Sequence, residues 1–413
     1  MRVDFTLLFA AAAVAHDTSK RADTISITGS APGFAYGVTG GDATPVYPAN
    51  VSHLIDLLGS DEPQVVIIDR TYDFIGSEGT TTGTICKSWG EFEDGCQAII
   101  DTGSGCGDAA SESYEWDTAG VTGIYVHSNK TLIGVGSNGV LLGKGLRMVD
   151  VSNIIVQEIM ITDLNPKLVW GGGRQSPDPE HQSGAQQRDP MFSEHKAIET
   201  RPAPELGHKM GEANDHPLLS NPVHPLENIE AEPNALITIS NRFLNGATNF
   251  STSCDGQTYW GLELVGNDDQ ITFSNNYIYR TSGRSPALSG STLFHAVNSV
   301  WEDNNGHAIE GTDYGQGLFE GCIFNNVSQI VVEDFVGQLF SSPSDTANKA
   351  CYDYLGRDCV TNIQTDDGSS FTDADTGFFS NFTGLNIASA SAASAAQTSV
   401  PTNAGNTLQN ALS

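Results

Sequence analysis

Arg284, set in the run Thr281-Ser282-Gly283-Arg284-Ser285-Pro286, is the residue whose type and surroundings best suit it to chemistry. It belongs to a stretch, Cys254–Gly290, that also holds the adjacent aromatics Tyr259 and Trp260 and strand-like runs at 270–273 and 277–279. The arginine therefore falls where a turn should follow a strand. A guanidinium in such a turn can stabilise an anion forming beside it. Acting as a base demands more, because a group of pKa above about 12 must lose its proton, which requires desolvation or positive neighbours.

Other chemistries are poorly served. No CxxC pair or histidine cluster with zinc-ligand spacing is present, so zinc is not expected. A glycoside hydrolase would need a pair of acidic residues near one cleft, and no convincing pair stands out. The balance of 19 Lys+Arg against 50 Asp+Glu leaves a formal charge of -31, which argues against nucleic acid or anionic membrane as partners and disfavours a polyanionic substrate.

The elements that must position Arg284 follow from the pattern. Short β-branched runs recur from Gly123 onward, at 124–126, 131–133, 140–142 and 154–156, then at 237–239, 271–273, 293–297, 317–319 and 330–332. Equivalent runs lie roughly twenty to twenty-five residues apart, and Asn241, Asn275, Asn298 and Asn325 follow several of them. This is the signature of stacked coils, a parallel β-helix, with asparagines at left-handed corners. A β-sandwich would show closer strand spacing and hairpin turns. Val51–Leu58 reads as a short helix with Leu54, Leu57 and Leu58 on one side, and residues 76–107 read as a loop-like insertion carrying three cysteines and Trp89.

Residues 1–15 read as a signal peptide, with an apolar run from Phe5 to Ala15 too short to span a bilayer. Lys20-Arg21 reads as a dibasic processing site, so the mature chain is expected to start at Ala22 or near His16. Seven cysteines imply disulfides with one thiol left over, and five N-x-S/T sequons, at Asn50, Asn129, Asn249, Asn326 and Asn381, fit a glycosylated extracellular protein. One all-β domain is expected over 22–385, interrupted at 173–235 by a proline-rich insert that holds five of the ten histidines and lacks β-branched runs. That insert cannot supply solenoid strands by this pattern, and it reads as a translated intron, a frame error or the mark of a damaged gene. Residues 386–413, rich in Ser, Ala and Thr, read as a disordered tail.

Several motifs in order carry a resemblance: GFAYGVTGG at 33–41, the cysteines around Trp89, TDLNPKLVWGG at 162–172, CDGQTYWG at 254–261, TSGRSP at 281–286 and GQLFSSP at 337–343. With these the chain resembles the fungal secreted pectin lyases of the pectate lyase superfamily, over residues 33–172 and 236 to about 365. The resemblance implies a single-stranded right-handed parallel β-helix with long loops, no metal or cofactor, and endo-acting β-elimination on methyl-esterified galacturonan. It makes Arg284 the base, Asp269 an acidic cleft position, and Trp89, Trp170, Tyr259 and Trp260 the aromatic lining of the cleft. Aromatic faces suit a neutral esterified polymer, since the C–H faces of sugars stack on them. It further implies disulfides Cys86–Cys106, Cys96–Cys254 and Cys351–Cys359, with Cys322 free. Two departures stand out. The insert replaces a coil that carries a second cleft arginine in the family, and Ala287 stands where the family has a lysine.

The leading expectation is therefore a monomeric, secreted pectin lyase. An inactive carbohydrate-binding relative and a calcium-dependent pectate lyase are the alternatives; the strong negative charge favours the esterified substrate over the polyanion that calcium would bridge.

Overall fold

All but one of the β-branched runs become strands of two to six residues that pair in parallel with a neighbouring coil; the run at 330–332 makes only an isolated bridge, Val331 with Ile309. The computed structural model describes residues 29–170, 213–214, 227–229 and 236–405, apart from 102–105, 107–108, 149–150, 260, 265–267 and 312–313. Its longest sheet has ten strands and runs from Pro45–Val46 to Gly337–Phe340. In the C-terminal half the register advances by 23 residues per coil, as in Gln270↔Leu293 and Leu293↔Gln316. The connections between these parallel strands are themselves short strands on two further faces, which makes the architecture the expected parallel β-helix. One further face joins Phe243–Asn245, Tyr277–Tyr279, Val300–Glu302, Ile323–Asn325 and Ile363–Thr365. The other joins Glu227–Ile229, Leu262–Leu264, Ala287–Leu288 and Glu310–Gly311, and carries Ile124–Tyr125 and Leu146–Arg147 at the same place in earlier coils. Arg284 belongs to this last face.

The corners bear out the asparagine reading with one change. Asn241, Asn275 and Asn298 sit in the left-handed region at φ 54°, 56° and 50°, where a short polar side chain is tolerated. Each backbone N–H there bonds to the next coil, as in Asn275 N to Val297 O at 3.0 Å. The fourth corner is Gly321, φ 60°, while Asn325 ends a strand and Asn326 turns instead. The side chain of Asn298 still spans the join, donating to the Gly321 carbonyl at 3.0 Å.

Inward-facing residues stack by coil. Phe273, Phe294 and Phe319 form a column with ring centroids 5.5 Å apart at each step, and Trp301 stacks on Phe324 at 4.9 Å. Trp301 and Phe324 are in register across their ladder, so there the repeat itself brings the rings together, whereas the three phenylalanines meet diagonally across theirs. Trp301 is fully buried and Trp116 nearly so, consistent with their reading as core rather than cleft. Helix Val51–Leu58 closes the N-terminal end. Asn50 caps it by accepting from His53 N at 2.9 Å, and Leu54 and Leu58 are buried against the first coils.

Three expectations are corrected. Residues 76–107 are not simply loop: Thr80–Cys86 pairs antiparallel with Ser111–Asp117 and with Ala98–Ile100, and Leu168–Trp170 completes a four-stranded side sheet. Residues 80–84, four threonines and a glycine alternately exposed and half-buried, carry no large apolar side chain to announce a strand. Within the proline-rich segment, Ala213–Asn214 joins the long sheet and Glu227–Ile229 pairs with Leu262–Leu264. Ladder pairing needs only backbone donors and acceptors, so a neighbouring coil can recruit two or three residues that show no apolar alternation. The rest of the segment, like residues 1–28, lies outside the described residues. Finally, the tail is ordered in part. Ala393–Asn403 is a helix whose Ala393, Ala396 and Val400 pack on Val300 and Ile323. Spacings of three and four put small side chains on one face, and small residues let the helix approach the sheet closely.

The three disulfides join the implied partners, and Cys322 is free and buried. No helix among the described residues is long and apolar enough to cross a membrane.

Candidate functional site

Arg284 occupies the turn that enters Ala287–Leu288, at φ 41°. A residue other than glycine in the left-handed region is strained, and such strain persists where the surroundings over-determine it. Here they do. Ser282 N donates to Thr258 O and Ser285 N to Ala308 O, both at 2.8 Å, and the Arg284 carbonyl accepts from Leu262 N. Thr281 and Ser285 share a hydroxyl bond at 2.8 Å, and Asn304 donates to Thr281 Oγ1 at 2.6 Å. The turn is thus bonded to the coils before and after it.

The side chain is 9% exposed and meets Glu310 and Tyr259 among its partners. Its Nε lies 3.0 Å from Glu310 Oε1, and its guanidinium carbon lies 5.5 Å from the centre of the Tyr259 ring. Glu310 is held on its other oxygen as well: Tyr259 donates its hydroxyl to Oε2 at 2.8 Å, and His307 Nε2 is 2.7 Å from the same atom. Tyr259 and His307 meet edge to face at 5.7 Å. Four residues from three successive coils therefore form one contact cluster. Gly283 makes room for it, because a Cβ there would stand 2.5 Å from the Tyr259 ring.

The electrostatics follow from this packing. Burial pushes the Glu310 carboxyl up, but the hydrogen bond from His307, the charge of Arg284 and the hydroxyl of Tyr259 outweigh it, holding the group below its ordinary value. The Tyr259 hydroxyl is pushed up to about 12, by burial first and by the Glu310 charge second. Tyr259 is thus a neutral donor and Glu310 an anion at neutral pH. That anion favours the charged form of Arg284, so the guanidinium stands ready to stabilise negative charge.

The remaining expected residues divide. Trp89 is partly exposed, and its neighbour Gly90 lies against the Cys96–Cys254 disulfide, with a Cβ position 2.5 Å from Cys96 Sγ. Through that bond the Trp89 loop is tied to the loop leading into Tyr259. Ser253 Oγ meets Ser282 Oγ at 3.2 Å, so the same loop rests on the Arg284 turn. The backbone of Trp170 ends the strand that pairs with Ala98–Ile100; its side chain, and all of Trp260, lie outside the described residues. Asp269, expected on the cleft, is 0% exposed at the start of Gln270–Ser274, its carbonyl accepting from Leu293 N at 2.7 Å. It belongs to the frame between two faces of the coil rather than to an open wall.

Glu310 and His307 were missed by reading the sequence. The signal was there: position 310 is in register with Ala287, one 23-residue coil later, so advancing the Arg284 stretch by one repeat reaches the run Gly306-His307-Ala308-Ile309-Glu310. Among the described residues no group of three or more His, Cys, Asp or Glu is placed to hold a metal ion.

No protein-family model matches the chain. It is 52% identical over 384 residues to the protein named "Probable pectin lyase E" of Aspergillus niger, an alignment covering 92% of this chain and 95% of that one. It is 48% identical over 408 residues to "Probable pectin lyase C" of Emericella nidulans, covering 97% and 99%, and 43% identical over 414 residues to "Pectin lyase A" of the same organism, covering 99% and 100%. Among solved structures it is similar to a pectate lyase from Bacillus sp. N165 in complex with trigalacturonate, with a TM-score of 0.50, 17% identity and coverage of 91% and 97%. A pectate lyase from Paenibacillus sp. 0602 gives a TM-score of 0.51 at 13% identity, covering 91% and 95%. At these identities the two structures speak for the fold alone.

Proposed function

The chain belongs to the pectin lyase family, and from that premise we propose that it cleaves methyl-esterified (1→4)-α-galacturonan within the polymer by β-elimination. In this reaction the C5–H and C4–O bonds break, a C4=C5 double bond forms, the C5 proton passes to a base, and the departing glycosidic oxygen takes up a proton. C5 is acidified by the adjacent ester carbonyl, so negative charge grows on that carbonyl as the proton leaves. The observation that carries the proposal is the strained, nearly buried Arg284 beside Tyr259, in a chain so similar over its length to proteins named pectin lyases.

Arg284 is the residue we assign to the reacting centre. Paired with Glu310 it enters as a cation and meets the enolate-like charge. To accept the C5 proton itself it must first have lost a proton of its own, a loss that the pairing with Glu310 opposes. Trp89, Trp170, Tyr259 and Trp260 are the aromatics we assign to stacking the esterified sugars. The signal-like N-terminal segment, the sequons and the three disulfides support an extracellular protein, read here as a monomer.

The test is ultraviolet absorbance of the unsaturated product from highly esterified pectin, with and without a chelator. Absorbance should rise equally in both. No rise from correctly folded protein would turn the reading to a carbohydrate-binding relative, and a rise abolished by the chelator would turn it to a metal-dependent pectate lyase.

A further inference from the structure

On the face that bears Arg284, but several coils nearer the N-terminus, lies a cavity of about 330 Å³ lined by Tyr125, Val126, His127, Arg147, Val151 and Asp61, among others. Its floor is a strand pair, Ile124–Tyr125 with Leu146–Arg147, in which Tyr125 and Arg147 are in register. Ile124 is buried, so Tyr125 points outward by the alternation of a strand. Tyr125 is 56% exposed, and the Arg147 guanidinium lies over its ring at 5.4 Å. Beside them His127 Nδ1 is 2.9 Å from Asp61 Oδ1. The volume is that of a pocket for a small ligand or a single sugar.

The topology relates this pocket to the candidate site. Leu146–Arg147 leads into Ile154–Gln157, and Ala287–Leu288 leads into Leu293–Val297. In the long sheet those two strands are separated by Ala213–Asn214, Leu236–Ser240 and Gln270–Ser274, which makes four inter-strand steps. At about 4.8 Å per step the pocket lies roughly 19 Å along the solenoid from Arg284. A polymer laid along this face would reach both places with several sugar units between them.

We propose that this pocket is a distal subsite that takes a galacturonate unit with a free carboxylate. The proposal rests on the pectin lyase reading for the identity of the polymer. A guanidinium donates paired hydrogen bonds to a carboxylate, and the exposed Tyr125 ring offers a stacking face to the C–H side of the sugar. The protein carries a formal charge of -31, so a local cation decides where an anionic unit can settle. Asp61, the nearby carboxylate, is engaged by His127 and faces the rim, with its side chain 96% exposed to screening solvent. The enzyme would thereby read esterification at two places: esterified at the reacting bond, unesterified at a distance.

The experiment measures binding in the R284K background, where turnover is suppressed, by titration calorimetry. The probes are long, partly esterified oligogalacturonides, fully esterified oligomers of the same length, and short oligomers unable to span both places. Adding R147Q should weaken binding of the long, partly esterified probe about tenfold, the loss of a charged hydrogen bond, and leave the other two unmoved. Adding R147K in its place should restore part of the loss. Equal binding with and without R147Q, or equal losses on esterified and partly esterified probes, would overturn the subsite. Because the readout is binding, it stands apart from the pectin cleavage assay: failure of the wild type to cleave pectin would count against the lyase reading, and unchanged binding in R147Q against the subsite.

Discussion

At the scale of the residue, the question is what Arg284 does with its proton. It pairs with one oxygen of Glu310 while Tyr259 and His307 hold the other, and a carboxylate at 3.0 Å raises the cost of deprotonation. Replacing Arg284 by lysine keeps a charge but loses the planar fork, and kcat should fall by roughly a hundredfold or more. The variant E310Q separates two roles. If Arg284 takes the C5 proton, losing the carboxylate makes the guanidinium easier to deprotonate, so the rising limb of the pH–rate profile moves to lower pH. An unmoved limb would leave Arg284 a purely electrostatic part.

At the scale of the element, the site depends on close approach between coils. The Tyr259 ring packs where Gly283 has no side chain, so G283A must displace the ring, loosening the Glu310 contact it makes. We expect about a tenfold loss in kcat/KM, with thermal stability changed far less than activity. Steady-state kinetics beside a melting curve would check this, and a variant that retains full activity would show that Tyr259 is not needed where it sits. The Cys96–Cys254 bond, spanning 158 residues, ties the Trp89 loop to the same place. Its spacing alone says nothing of that role, which comes from where the side sheet docks.

At the scale of the molecule, a buried charge cluster clamps the C-terminal loop to the long sheet. Glu320 is fully buried between His295, at 2.7 Å, and both terminal nitrogens of Arg357, at 2.7 and 2.6 Å. Burial pushes the Glu320 carboxyl up, but Arg357 and His295 overcome this and hold it at about 2. A folded-state value below the unfolded one means the stabilisation is complete above about 4.5 and is lost as pH falls toward 2. Stability measured by denaturant in that window should drop steeply for the wild type and much less for E320Q. R357A, which strips the carboxylate of its main partner, should cost about 3–5 kcal/mol at neutral pH. An equal acid dependence in wild type and E320Q would remove Glu320 from the cause.

The sequence by itself determined the repeat. Runs such as 271–273 and 293–297, with asparagine after them, specify strands, inward faces and left-handed corners locally, because each depends on side-chain branching and on the few backbone angles a residue tolerates. It also marked Arg284, whose neighbours Gly283, Ser285 and Pro286 announce a turn. It could not show that Glu310 and His307 close around that arginine, since their contact crosses coils and depends on register; nor that Asp269 is buried in the frame; nor that Ala393–Asn403 packs as a helix, because alanines bury well only against a surface shaped to receive them. Those facts belong to the tertiary structure, where a 23-residue advance along the chain becomes a single step of the ladder.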